Sequence, residues 1–390
     1  MEGINGLRHR LLLLFQFLLI CAVVYLKLRA DSAYFLTPDS HYYLQAAQNL
    51  LNGKGYVITF EGTETFCAIW PIGYSALIAG MAWLTPFSVE TASKIVNLLA
   101  LAGCFWLIYR RFHDKAWFVA LGMMTSSLVQ LYANTWSETL FLFFVLGFFI
   151  KPHPPSPSPK WRRGVPNLLQ SIEALFAIGA FLTRYAAVFL LIPLLIQRRF
   201  RVAAYYLVFI SGYLFFNFYQ TRTFTGGHGF WPEEPFGERL LRGIHGLGEE
   251  FVFFAVRDWD LKNGTLNAST KWFIYGVALL QFLIAVVIVW QIGRLFLWKK
   301  GKDIDAYGMT NAMTKQPFFL VATSYLLFTI VMYLTDASVE SLYFRRLAPS
   351  SLLFTLGILG WVSEQKQLFE RTQWLFVAFF VLSMIHAIPK

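Results

Sequence analysis

The sequence predicts an all-α fold: a polytopic transmembrane helical bundle of about eleven spans, with an amphipathic, re-entrant first loop on the outer face. Three observations predict it. Hydrophobic types make up 57% of the 390 residues and charged types 14%, against about 25% charged in soluble domains. Mean hydropathy is +0.52, more apolar surface than one core can bury. Apolar runs recur from residue 11 to the C-terminus, and each bilayer crossing takes about 20 apolar residues. An ordinary cytosolic enzyme and a single-anchor protein are both excluded.

The spans read as residues 11–29, 91–109, 117–135, 138–150, 168–183, 185–197, 202–218, 272–293, 317–334, 347–362 and 373–388. The first follows Arg8 and Arg10 and ends without a small-residue cleavage site, so it reads as a retained span rather than a signal peptide. Arg184 alone separates 168–183 from 185–197, leaving two short helices or one kinked helix. With the N-terminus cytoplasmic, the inner segments hold more than half of the 33 Lys and Arg. That is the distribution of the positive-inside rule, and it accounts for the net charge of +11 without nucleic acid, for which no soluble basic face exists.

The organisation expected is one transmembrane domain over 1–390. A first outer loop spans 30–90 with interfacial helices, and a second large outer loop spans 219–271. Within the first, Ile69 to Leu84 is apolar and reads as re-entrant. A full crossing there would put Arg110, Arg111 and Lys115 outside. Residues 151–167 are Pro/Ser-rich without hydrophobic period and read as a flexible inner linker. Cys21, Cys67 and Cys104 support neither a disulfide framework nor a metal site.

Ionisable residues deep in spans mark ion and proton paths. Here the conspicuous charges fall at outer span ends: Asp39, Glu138, Arg184, Asp336, Glu340, Arg345 and Arg346. The chemistry is therefore expected at the outer membrane–water boundary. In Thr37-Pro-Asp-Ser-His-Tyr-Tyr-Leu-Gln-Ala-Ala-Gln-Asn-Leu-Leu-Asn-Gly, the residues Tyr43, Ala46/Ala47, Leu50 and Leu51 recur at helical spacing. That spacing predicts an interfacial helix over 40–52, stopped by Gly53 and Gly55. Asp39 reads as its N-cap, in either of two roles: a structural cap or a general base at the mouth of a cavity. Glu138 likewise either opens the next helix or positions an acceptor. His41 and Tyr43 read as lining residues, or as members of an aromatic belt.

The pattern Asp39-x-x-x-Tyr43-x-x-x-Ala47-x-x-Leu50-x-x-Gly53-x-Gly55-Tyr56, followed by Trp70-Pro71-Ile72-Gly73-Tyr74, resembles the first outer loop of the membrane-embedded C-type glycosyltransferases. That superfamily includes protein O-mannosyltransferases and lipid A aminoarabinose transferases. Trp136-Ser137-Glu138-Thr139-Leu140-Phe141 is similar to its second outer acidic motif. Leu182-Thr183-Arg184 and Tyr343-Phe344-Arg345-Arg346-Leu347-Ala348-Pro349 follow in the family's order. Many relatives have Asp-Glu where this chain has Asp39-Ser40, and paired prolines where it has Trp70-Pro71.

The resemblance implies a glycosyltransferase that moves a sugar from a polyprenyl-phosphate donor to an acceptor: protein, lipid or glycan. Asp39 would be the general base of an inverting displacement, with Glu138 assisting. Arg345 or Arg346, and Arg184, would hold the phosphate, a task that suits the guanidinium, while His41 and Tyr43 bind substrate. The resemblance fixes no cofactor, and a divalent metal stays open. The setting implied is a bacterial plasma (inner) membrane, multi-pass, with membrane lipids as neighbours. Two rivals stand beside it: a transporter or flippase for a lipid-linked or small substrate, and a scaffold subunit of a polysaccharide assembly.

Overall fold

The computed structural model describes all residues except 1, 31–35, 61, 150–164, 227–234, 252–267, 300–316, 336–341 and 390. The linker over 151–167 lies almost wholly outside the described residues, as do Asp336, Glu340 and parts of the second outer loop. Helices account for nearly all the regular structure: α1 (Glu2–Ala30), α2 (Pro38–Leu51), α3 (Gly73–Leu84), α4 (Val89–Phe112), α5 (Ala116–Val119), α6 (Ser126–Ala133), α7 (Glu138–Phe149), α8 (Val165–Thr183) and α9 (Leu191–Ile196). They continue with α10 (Phe200–Thr221), α11 (Phe236–Phe251), α12 (Ala268–Lys299), α13 (Pro317–Thr335), α14 (Phe344–Glu364) and α15 (Lys366–Ala387). Seven segments among the described residues are long and apolar enough to cross a bilayer. The chain is an integral membrane protein built as a polytopic helical bundle.

Large apolar side chains stand exposed along these helices, among them Leu11, Phe15 and Leu18 on α1 and Trp272, Leu279 and Leu283 on α12. Such faces suit acyl chains, which are as apolar as leucine. The segment expected as one span over 117–135 is instead interrupted. It runs as α5, a 3₁₀ stretch Ala120–Met124 and α6, with residues 116–129 buried throughout. Thr125 is extended at the break, and its Oγ1 accepts from the Leu128 amide at 3.3 Å, as an N-cap does. The join at Arg184 resolves as two pieces. Arg184 itself is extended, α8 ends before it, and a 3₁₀ turn over Tyr185–Leu190 leads into α9.

By backbone contacts the chain divides into two compact units. The first comprises Met1–Ala30, Phe112–Gln130 and Glu233–Lys390; the second comprises Asp31–Arg111 and Leu131–Pro232. In the second unit the first outer loop holds α2, α3 and a hairpin that the periodicity did not announce. Its strands are β1 (Val57–Phe60) and β2 (Thr63–Phe66), antiparallel with Val57 opposite Phe66 and Phe60 opposite Thr63. Gly62 turns the hairpin at positive φ (80°), a conformation glycine adopts freely. Asn49 Nδ2 donates to Val57 O at 2.8 Å, and Gln45 bonds both the amide and the hydroxyl of Thr59, each at 3.0 Å. These bonds strap the hairpin onto α2.

In the first unit, α11 occupies the loop expected over 219–271. Its inward residues Arg239, Gly243, Gly246 and Glu250 are buried, whereas Phe236, Leu241 and Ile244 are exposed. A Cβ on Gly246 would stand 1.7 Å from Leu342 O, so a bare backbone is required at that crossing.

Candidate active site

The second unit assembles its polar groups around the turn between α6 and α7, residues 134–137. Such a turn leaves the last carbonyls of one helix and the first amides of the next without intrahelical partners. Helix α4 supplies donors from one face. Lys94 Nζ donates to Ala133 O at 2.7 Å and to Thr135 Oγ1 at 2.8 Å. Asn97 Nδ2 donates to Asn134 O at 2.7 Å, and Asn97 Oδ1 accepts from Tyr74 OH at 3.0 Å. The Ser93 and Thr135 hydroxyls lie 2.9 Å apart. Sequence reasoning did not select Lys94 or Asn97. Their signal is a lysine and an asparagine three apart on one face of an apolar span.

Helix α2 holds the turn from the other side. Trp136 Nε1 donates to Thr37 Oγ1 at 2.8 Å, Ser40 Oγ donates to Thr135 O at 3.2 Å, and the Tyr43 and Ser137 hydroxyls pair at 3.2 Å. Thr37, not Asp39, is the N-cap: its backbone is extended and its Oγ1 accepts from the Ser40 amide at 3.3 Å. Pro38 then takes the first helical position, where its missing N–H costs nothing. Asp39 follows in the first turn, half-buried. It carries charge favourable to the helix dipole, and the cap does not consume its carboxylate.

Tyr43 is turned away from solvent. It is 1% exposed and packs edge-on against Tyr74, with ring centroids 5.1 Å apart. Tyr42 takes the open position instead, stacked on Trp70 at 5.2 Å. His41 is exposed and lines an open pocket of about 470 Å³ with Pro38, Tyr42, Gln45 and Thr59.

Glu138 opens α7 with no exposed surface, and Arg184 Nη1 donates to its Oε1. The Arg184 side chain keeps 17% of its surface in contact with solvent. A Cβ on Gly73 would lie 2.5 Å from Leu182 O, so the start of α3 abuts the end of α8. The Trp70–Tyr74 motif is fixed by phenols. Tyr56 OH donates to Trp70 O at 3.0 Å, and Tyr213 OH accepts from the Ile72 amide at 3.1 Å. Burial drives the Tyr56 pKa well above the usual phenol range, so it stays a neutral donor.

Asp39, His41, Glu138 and Arg184 therefore all belong to elements bonded around one turn within the second unit. Arg345 and Arg346 belong to the first unit, in the first turn of α14. Arg345 is buried (6% exposed) and Arg346 is half-buried. Two cations at a helix N-terminus oppose the dipole, an arrangement suited to holding an anion there. The same unit buries a carboxylate that sequence reasoning did not select. Glu250 is 2% exposed and accepts from Ser127 Oγ at 2.9 Å and Ser351 Oγ at 2.5 Å. Among the described residues, no cluster of three or more His, Cys, Asp or Glu could hold a metal ion.

Replacing Lys94 tests the turn directly. Lys94→Met should leave two acceptors without this donor, at about 1–3 kcal/mol for each buried one, and so speed amide hydrogen exchange across residues 131–140. Lys94→Arg should stay close to the parent. An exchange pattern unchanged at 131–140 would refute the bracing role.

No protein-family model matches the chain, and no curated protein matches it. Two solved structures of ArnT from Cupriavidus metallidurans are similar. One, bound to undecaprenyl phosphate, has 13% identity and a TM-score of 0.46 over 90% of this chain and 60% of that one. The other, in the apo state, has 12% identity and a TM-score of 0.40 over 96% and 77%. The chain thus spans about 60% of the length of the first.

Proposed function

We propose that the protein is a glycosyltransferase that moves a sugar from a polyprenyl-phosphate donor to a hydroxyl acceptor at the outer boundary of a bacterial plasma membrane, with its N-terminus cytoplasmic. One observation carries this reading. Three segments that bear the ordered family motifs, far apart in sequence, are tied within one unit: α2 with Asp39, the 134–138 turn with Glu138, and the break at Arg184.

In this reading Asp39 accepts the proton of the acceptor hydroxyl as its oxygen attacks the anomeric carbon. The bond from that carbon to the phosphate oxygen breaks, and polyprenyl phosphate leaves with the electron pair. The attack comes from the face opposite the leaving group, so configuration inverts. Arg184 is engaged by Glu138, and the pair fixes the rim of the site. Arg345 and Arg346, at the start of α14 in the first unit, are proposed for the phosphate on their chemistry alone, with Arg346 the more accessible of the two. Arginine suits bidentate contact with a phosphate that gains charge as it leaves.

The test is incubation of the purified full-length protein with radiolabelled polyprenyl-phosphate sugars and a membrane extract. Label should move to a non-donor species at a rate proportional to enzyme. Retention of all label on the donor, with every sugar tried, would overturn the proposal. The transporter reading makes the opposite prediction: donor crosses vesicles intact and no bond is broken.

A further inference from the structure

Four of the five residues lining the pocket beside Asp39 come from one stripe of α2. Pro38, His41, Tyr42 and Gln45 stand at i, i+3, i+4 and i+7, and Thr59 on β1 closes the far side. The wall is built rather than incidental. Gln45 is held by two bonds to Thr59, at the amide and the hydroxyl, so strand and helix cannot part without breaking both. The Tyr42 ring is backed by Trp70, with centroids 5.2 Å apart and planes at 25°, and by Phe60 at 6.0 Å. A ring braced on two sides offers a fixed flat face at little entropic cost.

The chemistry of the lining selects among ligands. None of the five described lining residues is Asp, Glu, Lys or Arg, so this described wall offers none of the charged donors that phosphates and nucleotides need. Nor is it the all-apolar slot that a polyprenyl chain would fill, because His41, Gln45 and Thr59 contribute hydrogen-bonding groups. Flat apolar surface (Tyr42, Pro38) beside neutral donors and acceptors matches a pyranose ring, which has one face of C–H groups and a rim of hydroxyls. The volume, about 470 Å³, falls within the roughly 300–1,000 Å³ of small-ligand sites.

Resting on the transferase reading, we infer that this pocket seats a neutral sugar unit of the acceptor, so that the acceptor is a glycan chain. Asp39 and Tyr42 are i and i+3 on α2, neighbours on the helix surface. A unit stacked on Tyr42 therefore leaves the next unit's hydroxyl beside Asp39.

The experiment uses full-length protein in lipid nanodiscs and saturation-transfer NMR. The probes are maltotriose, mannotriose and chitotriose, with trigalacturonic acid and a Ser/Thr-rich peptide as charged and non-sugar comparisons. At least one neutral trisaccharide should bind. Tyr42→Ala should weaken that binding about tenfold, the weight of one aromatic contact. His41→Ala, at an exposed site that cannot unfold the chain, should weaken it measurably. No binding by any neutral probe, or binding indifferent to both Tyr42→Ala and His41→Ala, would overturn the inference. Preference for the peptide or the anionic sugar would do the same. The two readings separate cleanly. Trisaccharide binding without sugar transfer sinks the transferase and leaves the pocket, whereas transfer to an acceptor that ignores Tyr42 does the reverse.

Discussion

Asp39→Asn is expected to abolish sugar transfer while leaving the protein folded. The reason lies in the division of labour at the start of α2. Thr37 caps the helix and binds Trp136, so asparagine at position 39 removes no capping bond. The negative charge removed near the helix N-terminus is worth about 0.3–1 kcal/mol, a small part of a folded domain's stability. What is lost chemically is the proton acceptor, and general-base catalysis contributes typically about 10²–10⁴ in rate. Thr37→Val supplies the converse. It deletes the cap, at about 1 kcal/mol, and leaves the Trp136 indole N–H without this acceptor, so thermal stability should fall more than in Asp39→Asn. Transfer rates and unfolding midpoints of the two variants, measured side by side, make the test. Near-parental transfer by Asp39→Asn would end the assignment of Asp39 as base.

How much of this was legible in the sequence depends on the range of the interactions involved. The membrane-embedded helices follow from composition, because a bilayer leaves backbone amides no partner except their own helix. The break at Arg184 was readable as a single charge between apolar runs. The cap was misplaced by two positions: Pro38 marks the first helical residue, which makes its predecessor, Thr37, the cap. The assignment of Tyr43 as a lining residue conflicted with its own periodicity. The stripe 43, 46/47, 50 that predicts the helix is the stripe the helix buries, and Tyr42 takes the neighbouring open face. The hairpin was local and readable in hindsight. Val57-Ile-Thr-Phe and Thr63-Glu-Thr-Phe are β-branched and aromatic, with Glu-Gly between them.

Helix α11 was hidden for a different reason. Glycines at 243, 246 and 248 lower its propensity, and its buried stripe is Arg239, Gly243, Gly246 and Glu250 while Phe236, Leu241 and Ile244 are exposed. Lys94, Asn97 and Glu250 owe their places to partners between 23 and 123 residues away. No local pattern announces such pairs. The site is therefore more legible in its motifs than in its supports.

The Glu138–Arg184 pair should show an asymmetry that separates structure from chemistry. Glu138 has no exposed surface, whereas the Arg184 side chain keeps 17%. Removing Arg184 takes the ion-pair partner from a carboxylate with no exposed surface, and breaking a buried pair in this way costs about 3–5 kcal/mol. Removing the charge of Glu138 leaves an arginine that can reach solvent, so Glu138→Gln should cost distinctly less. Arg184→Met is therefore expected to be the least stable of the single variants, and the double variant Glu138→Gln/Arg184→Met should regain much of the loss. The sign of that coupling, read from detergent-solubilised unfolding midpoints in a double-mutant cycle, checks the geometry independently of any substrate. If Glu138→Gln proves as damaging as Arg184→Met, the carboxylate is not desolvated and the pair is not the buried brace described. Activity then reads the second question. Glu138→Gln folded but without sugar transfer would place that carboxylate in the chemistry, whereas folded and active would confine it to holding Arg184 at the rim.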